Sequence, residues 1–85
     1  MIVVSGIEVY EKYWLRAVSQ LESRASFELG CPANQLAYHL LEKYGRHPVQ
    51  IGVEGCGQRA VYHRPVLRSG GDTAIGSWML NSSSR

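Results

Sequence analysis

No stretch of this chain stays apolar for anything close to the roughly 20 residues that a membrane-spanning helix needs, so no membrane span is expected. The start, Met1-Ile-Val-Val-Ser-Gly-Ile-Glu8, has no basic segment, and its apolar run ends too soon for a secretory signal. Two settings fit that start: a cytoplasmic chain of full length, or a mature or excised fragment that has lost its targeting segment. No internal repeat is present, which excludes a solenoid. Cysteine is scarce, at two residues, and neither Cys-x-x-Cys nor His-x3-5-His occurs. Cys31 and Cys56 with His39, His47 and His63 therefore lack the spacing of a zinc knuckle, and no metal or cofactor is expected.

Charge of one sign is also scarce, with a net of +2, but it is unevenly placed. Residues 1–42 set Glu8, Glu11, Glu22, Glu28 and Glu42 against Lys12, Arg16 and Arg24, a balance of −2. Residues 43–85 set Lys43, Arg46, Arg59, Arg64, Arg68 and Arg85 against Glu54 and Asp72, a balance of +4. Such asymmetry suits an acidic partner, although a solvated sheet face accounts for it equally simply.

What is present is one small domain over residues 1–85. A chain of this length buries only about 60–65% of the surface that it exposes when unfolded. Its core is thin, and a disulfide, a metal or a partner chain would help it. Hydrophobic content of 45% against 19% charged residues argues for a globular chain rather than a disordered one.

Residues of about 6–28 read as one amphipathic helix. Ile7, Tyr10, Trp14, Ala17, Val18, Leu21 and Ala25 recur at spacings of three and four, while Glu8, Glu11, Lys12, Arg16, Gln20, Glu22 and Arg24 fill the other face. Ser5 is the expected N-cap, and Gly30 with Pro32 ends the helix. Residues 33–44 are ambiguous: Leu36, Tyr38 and Leu40 alternate as in a strand, but Leu36, Leu40, Leu41 and Tyr44 also fit a helix face. From Val49 the period is two, with Val49, Ile51 and Val53 against Gln50, Gly52 and Glu54. Arg59–Arg64 forms the next strand, Pro65 marks its edge or a bulge, and residues 68–73 form a turn. The last strand covers Gly76–Asn81, and residues 82–85 are a frayed tail. The fold class is α+β: one N-terminal helix on a three- to four-stranded antiparallel meander over about 35–81. Trp14, Leu21, Leu36, Ile51, Val53, Val61, Trp78 and Leu80 form the expected core, with Phe27 joining them.

Four groups of residues could carry chemistry. If residues 36–41 and 49–54 pair as antiparallel strands, Cys31 and Cys56 lie at one end of that hairpin, where a disulfide fits. Two inert thiols, or a reactive Cys56 exposed by Gly55 and Gly57 near Arg59, are the alternatives. The glycines at 52, 55 and 57 do not form a phosphate loop, because a strand rather than a helix follows them. Arg59, Arg64 and Arg68 beside Tyr62 and His63 suit weak single-stranded nucleic-acid binding, against which stand the low net charge and the lack of an RNA-binding signature. Any of Tyr10, Tyr13 and Trp14 left outside the core would mark a contact patch.

The segments Ala25-Ser-Phe-Glu-Leu-Gly-Cys-Pro32, Gly52-Val-Glu-Gly-Cys-Gly-Gln-Arg-Ala-Val-Tyr62 and Trp78-Met-Leu-Asn-Ser82, with Leu36 between them, carry a resemblance. Over about residues 25–82 the chain resembles a group of small, functionally uncharacterised bacterial proteins, many secreted or lipoprotein-like and common in myxobacteria. These share a Leu-x-Cys-Pro element and strands around Gly-Cys-Gly and Ala-x-Tyr. The resemblance implies strand for residues 36–41, an envelope or secreted setting and an oxidised Cys31–Cys56 pair. Where many of those proteins carry further cysteines, this chain reads His63-Arg64-Pro65-Val66 and Ile75-Gly76-Ser77. No activity comes with the resemblance. The expected function is a non-enzymatic interaction or structural module acting on a protein partner or a second copy of itself, through Tyr10, Tyr13, Trp14, Arg59, Tyr62 or Arg64. Thiol chemistry at Cys56 and nucleic-acid binding are its alternatives.

Overall fold

A computed structural model describes residues 1–45, 47–69 and 72–84. Strands β1 (Ile2–Val4) and β2 (Ile7–Val9) form an antiparallel hairpin ahead of helix α1 (Glu11–Leu29). A turn of 3-10 helix at Ala33–Gln35 leads into β3 (Ala37–Tyr44), β4 (His47–Gly55) and β5 (Gln58–His63). A second hairpin, β6 (Val66–Ser69) with β7 (Asp72–Ile75), precedes β8 (Met79–Ser84). The main sheet has the order β3-β4-β5-β8, with every neighbour antiparallel. The protein is thus α+β, with its helix near the N-terminus and a four-stranded meander interrupted by one hairpin.

The helix begins later than its periodicity implies. Ser5 and Gly6 take φ of 53° and 80°, the left-handed pair that a tight two-residue hairpin turn requires. Ser5 therefore turns a hairpin and caps no helix, and Ile7 belongs to β2. The position before α1 is Tyr10, extended at φ −72° and without a side-chain cap. Its carbonyl accepts from Tyr13 and Trp14, both at 3.1 Å. The helix end matches expectation. Gly30 is left-handed, its N–H donates to Phe27 O, and Cys31 N–H reaches back to Ser26 O at 3.1 Å, a Schellman closure.

One residue row crosses the inner face of the sheet: Leu40 beside Ile51, Ile51 beside Tyr62, Tyr62 beside Leu80. A second row sets Tyr38, Val53 and Ala60 side by side. Onto these rows α1 lays Ala17, Leu21, Ala25 and Leu29, all buried and four residues apart. Val9, Cys31 and Trp78 complete the buried cluster, with Trp14, Leu36, Tyr38 and Leu80 partly buried against it. Phe27 is not in this core. It is 87% exposed, because two residues past Ala25 is a step of about 200° around the helix. Val61 is also outside: lying between the inward Ala60 and Tyr62, it falls on the opposite sheet face and is half-buried.

The last strand both begins and ends later than expected, with residues 76–78 outside it and β8 covering Met79–Ser84. Ser82, Ser83 and Ser84 pair with Val61, Ala60 and Arg59, after an irregularity in register between Val61 and Tyr62, so residues 82–84 are strand rather than a frayed tail. The expected turn at 68–73 is narrower in the structure, where residues 68–69 belong to β6 and 72–73 to β7, with Ser69 paired to Asp72. Its centre at Gly70-Gly71, together with Arg46 and Arg85, lies outside the described residues. The two sheet edges differ. Beside β3 sits the N-terminal hairpin, whose Ser5 Oγ accepts from Leu40 N–H at 3.1 Å while Lys43 Nζ donates to Glu8 O at 2.7 Å. Among the described residues, no strand pairs with the outer edge of β8.

Candidate functional site

Cys31 and Cys56 are joined as a disulfide, with Cα atoms 5.7 Å apart across 25 residues. The helix end delivers Cys31, which is buried, and the β4–β5 turn delivers Cys56, which is exposed. Cys56 and Gly57 take φ of 53° and 75°, the same left-handed pair as Ser5 and Gly6. Gly55 makes room for the bond: a Cβ there would lie 2.9 Å from Gln35 O and 3.0 Å from Cys31 Sγ. Neither sulfur is a free thiol in this state.

The other residues singled out from the sequence are scattered over the molecule. Tyr10 is exposed and meets Tyr13 edge-on at 5.5 Å, and Tyr13 stacks on His47 at 4.3 Å. Trp14 is half-buried and belongs to the packing around the core. Arg59 is exposed and sits in register with Glu54. Tyr62 is fully buried, so its ring presents no face on which a base could stack. Its hydroxyl has no partner among the described residues, and burial, assisted by Glu28, pushes its pKa up. The side chain of Arg68 lies outside the described residues.

Arg64 does help to build a site, with partners that the sequence reading left elsewhere. A cleft of about 440 Å³ opens between one flank of α1 and the segment leading into β8. Gln20, Arg24, Arg64, Gly76, Ser77 and Trp78 line it. Trp78 is its floor and organiser. Arg24 Nη1 donates to Trp78 O at 2.6 Å, and Trp78 Nε1 donates to Gln20 Oε1 at 3.0 Å. The Arg64 guanidinium carbon lies 4.5 Å from the Trp78 ring centre, a cation–π contact, while Arg64 Nε donates to Pro48 O at 2.7 Å. Burial lowers the pKa of Arg64, and Arg64 in turn acts with burial to lower that of His47. Periodicity alone places Gln20 and Arg24 on the polar helix face and Trp78 in the core. Their four-residue spacing on the flank of the apolar stripe was the signal available for the first two.

The outer face of the sheet is a second exposed feature. His39 Nε2 and Glu54 Oε1 lie 2.9 Å apart there. Gly52, with no side chain, leaves a depression of about 130 Å³ beside His39, Glu54, Arg59 and Val61. Leu41 and Met79 are exposed at 47% and 51%. No helix among the described residues is long and apolar enough to cross a membrane.

No protein-family model, no curated protein and no solved structure matches this chain.

Proposed function

We propose that the protein is a non-enzymatic interaction module that works through protein–protein contacts, with a second copy of itself as the partner. The observation that carries this reading is the contrast between the sheet edges. The β3 edge is guarded by Ser5 and Lys43 of the N-terminal segment and of β3 itself, whereas the β8 edge has no strand beside it among the described residues. Proteins usually blunt an open edge with charge or proline. The sequence Met79-Leu-Asn-Ser-Ser-Ser84 contains neither. Two such neutral strands can pair antiparallel about a two-fold axis without like-charge repulsion, extending both sheets into one. Leu41, Val61 and Met79 on the outer face would then form part of a wider apolar surface.

The reading also takes the chain as a relative of the small secreted-type bacterial proteins that it resembles. The Leu-x-Cys-Pro and Gly-Cys-Gly elements behind that resemblance are the two ends of the Cys31–Cys56 bond. Such a bond stiffens a thin scaffold and leaves its surface free for contacts.

Light scattering across a concentration series tests the proposal. The expected mass rises towards twice the 9.5 kDa of one chain, and Met79→Lys with Asn81→Lys returns it to the monomer. A wild type that stays monomeric throughout, or a dimer indifferent to both lysines, overturns it.

A further inference from the structure

We propose that the cleft floored by Trp78 binds the doubly charged oxyanion of a small organic molecule, a phosphate monoester or a dicarboxylate, through the guanidinium groups of Arg24 and Arg64. Among the described residues, no carboxylate pairs with Arg24 or Arg64, and the His39–Glu54 contact lies on the outer sheet face. Two cations that share one lining repel each other, and an anion between them removes that repulsion.

The cations are also held in place. Arg24 is fixed by its bond to Trp78 O and lies 5.5 Å from the Tyr62 ring centre. Arg64 is fixed by its bond to Pro48 O and by the Trp78 ring, and its own N–H donates to Val49 O at 3.0 Å. Each guanidinium has five N–H donors, and these anchors use one of each, which leaves donors for charge-assisted bonds. A side chain already anchored loses little freedom on binding. The size agrees as well: about 440 Å³ lies within the usual range of small-molecule sites, roughly 300–1,000 Å³. Ser77, exposed at the rim, supplies a hydroxyl for further selection.

A purely structural account assigns both arginines to bracing Trp78. That account predicts a stability change on mutation and no ligand. The two are separated by calorimetric titration at low ionic strength with phenyl phosphate and, separately, with succinate, alongside amide and indole NMR shifts. Saturable binding of either probe is expected, with the Trp78 indole N–H shifting and the Trp14 indole unmoved. Binding of phenyl phosphate alone assigns a phosphate monoester, and binding of succinate alone assigns a dicarboxylate. Arg24→Gln, at an exposed position, is expected to weaken binding about tenfold or more. Arg64→Gln is expected to do the same, and should that variant fail to fold, Arg24→Gln carries the test alone. Lack of saturation with both probes, equal affinity in Arg24→Gln, or shifts centred on Arg59 and Lys43 overturns the proposal.

Discussion

Ser5 and Leu40 are joined by a hydrogen bond across 35 residues, the hydroxyl of the first accepting from the amide of the second at 3.1 Å. Ser5 lies in a hairpin turn, and Leu40 lies where β3 departs from regular register with β4. A side chain thus serves an edge amide that, among the described residues, has no strand partner on that side. The N-terminal hairpin is in this way tied to the sheet that follows the helix.

Removing the Ser5 hydroxyl should loosen that tie. Ser5→Ala keeps an L residue in the left-handed turn, so the backbone strain is unchanged and only the bond is lost. The expected loss is about 1 kcal/mol in urea denaturation, with faster hydrogen exchange at the Leu40 amide. Ser5→Gly should recover part of the stability, since glycine adopts that φ without strain, but none of the Leu40 protection. Unchanged exchange at Leu40 in both variants would rule the bond out as a stabilising contact.

Breaking the Cys31–Cys56 bond should cost more. It closes a loop of 25 residues, for which chain entropy gives roughly 3 kcal/mol. Replacing both cysteines with alanine is expected to lower the stability by about that amount. The intact chain should gain two hydrogen atoms when a dithiol reductant opens the bond, a mass increase that mass spectrometry reads directly. Gly55→Ala should destabilise the oxidised protein by about 1–3 kcal/mol through overpacking. The Cβ would press on Gln35 O and the Leu36 side chain, each at 2.9 Å. If the alanine pair were as stable as the wild type, the disulfide would have no structural role.

Much of the architecture was legible in short-range pattern. Gly30 and Pro32 announced the helix end, the alternation from Val49 to Val53 announced β4, and Gly55-Cys56-Gly57 announced the turn that carries one sulfur. Ile7 and Tyr10 fit a helical stripe by spacing, but Ser5-Gly6 is also a two-residue hairpin turn, and tertiary contact with Leu40 favours the latter. Phe27 was placed by its hydrophobicity, although its angle on α1 turns it outward. The cleft was the least legible feature. Gln20 and Arg24 meet Trp78 across 58 and 54 residues, and no local period encodes that encounter.

The N-terminal end of α1 provides a pH test. His47 stacks on Tyr13 at 4.3 Å, with Lys12 over the Tyr13 ring at 5.2 Å. Burial first, and the positive charge of Arg64 second, hold the His47 pKa below its ordinary 6.5. The folded protein therefore binds this proton less readily than the unfolded chain does. The resulting stability is present in full above pH 6.5 and declines as the pH falls through the folded-state value. The urea midpoint should accordingly fall between about pH 7 and pH 5, and His47→Gln should flatten that part of the profile. Arg64→Gln should bring the His47 titration, followed by its imidazole proton shift, closer to 6.5, because one of its two causes is gone. A midpoint that rises on acidification, or a His47 titration above that value, would contradict the burial and charge around the ring.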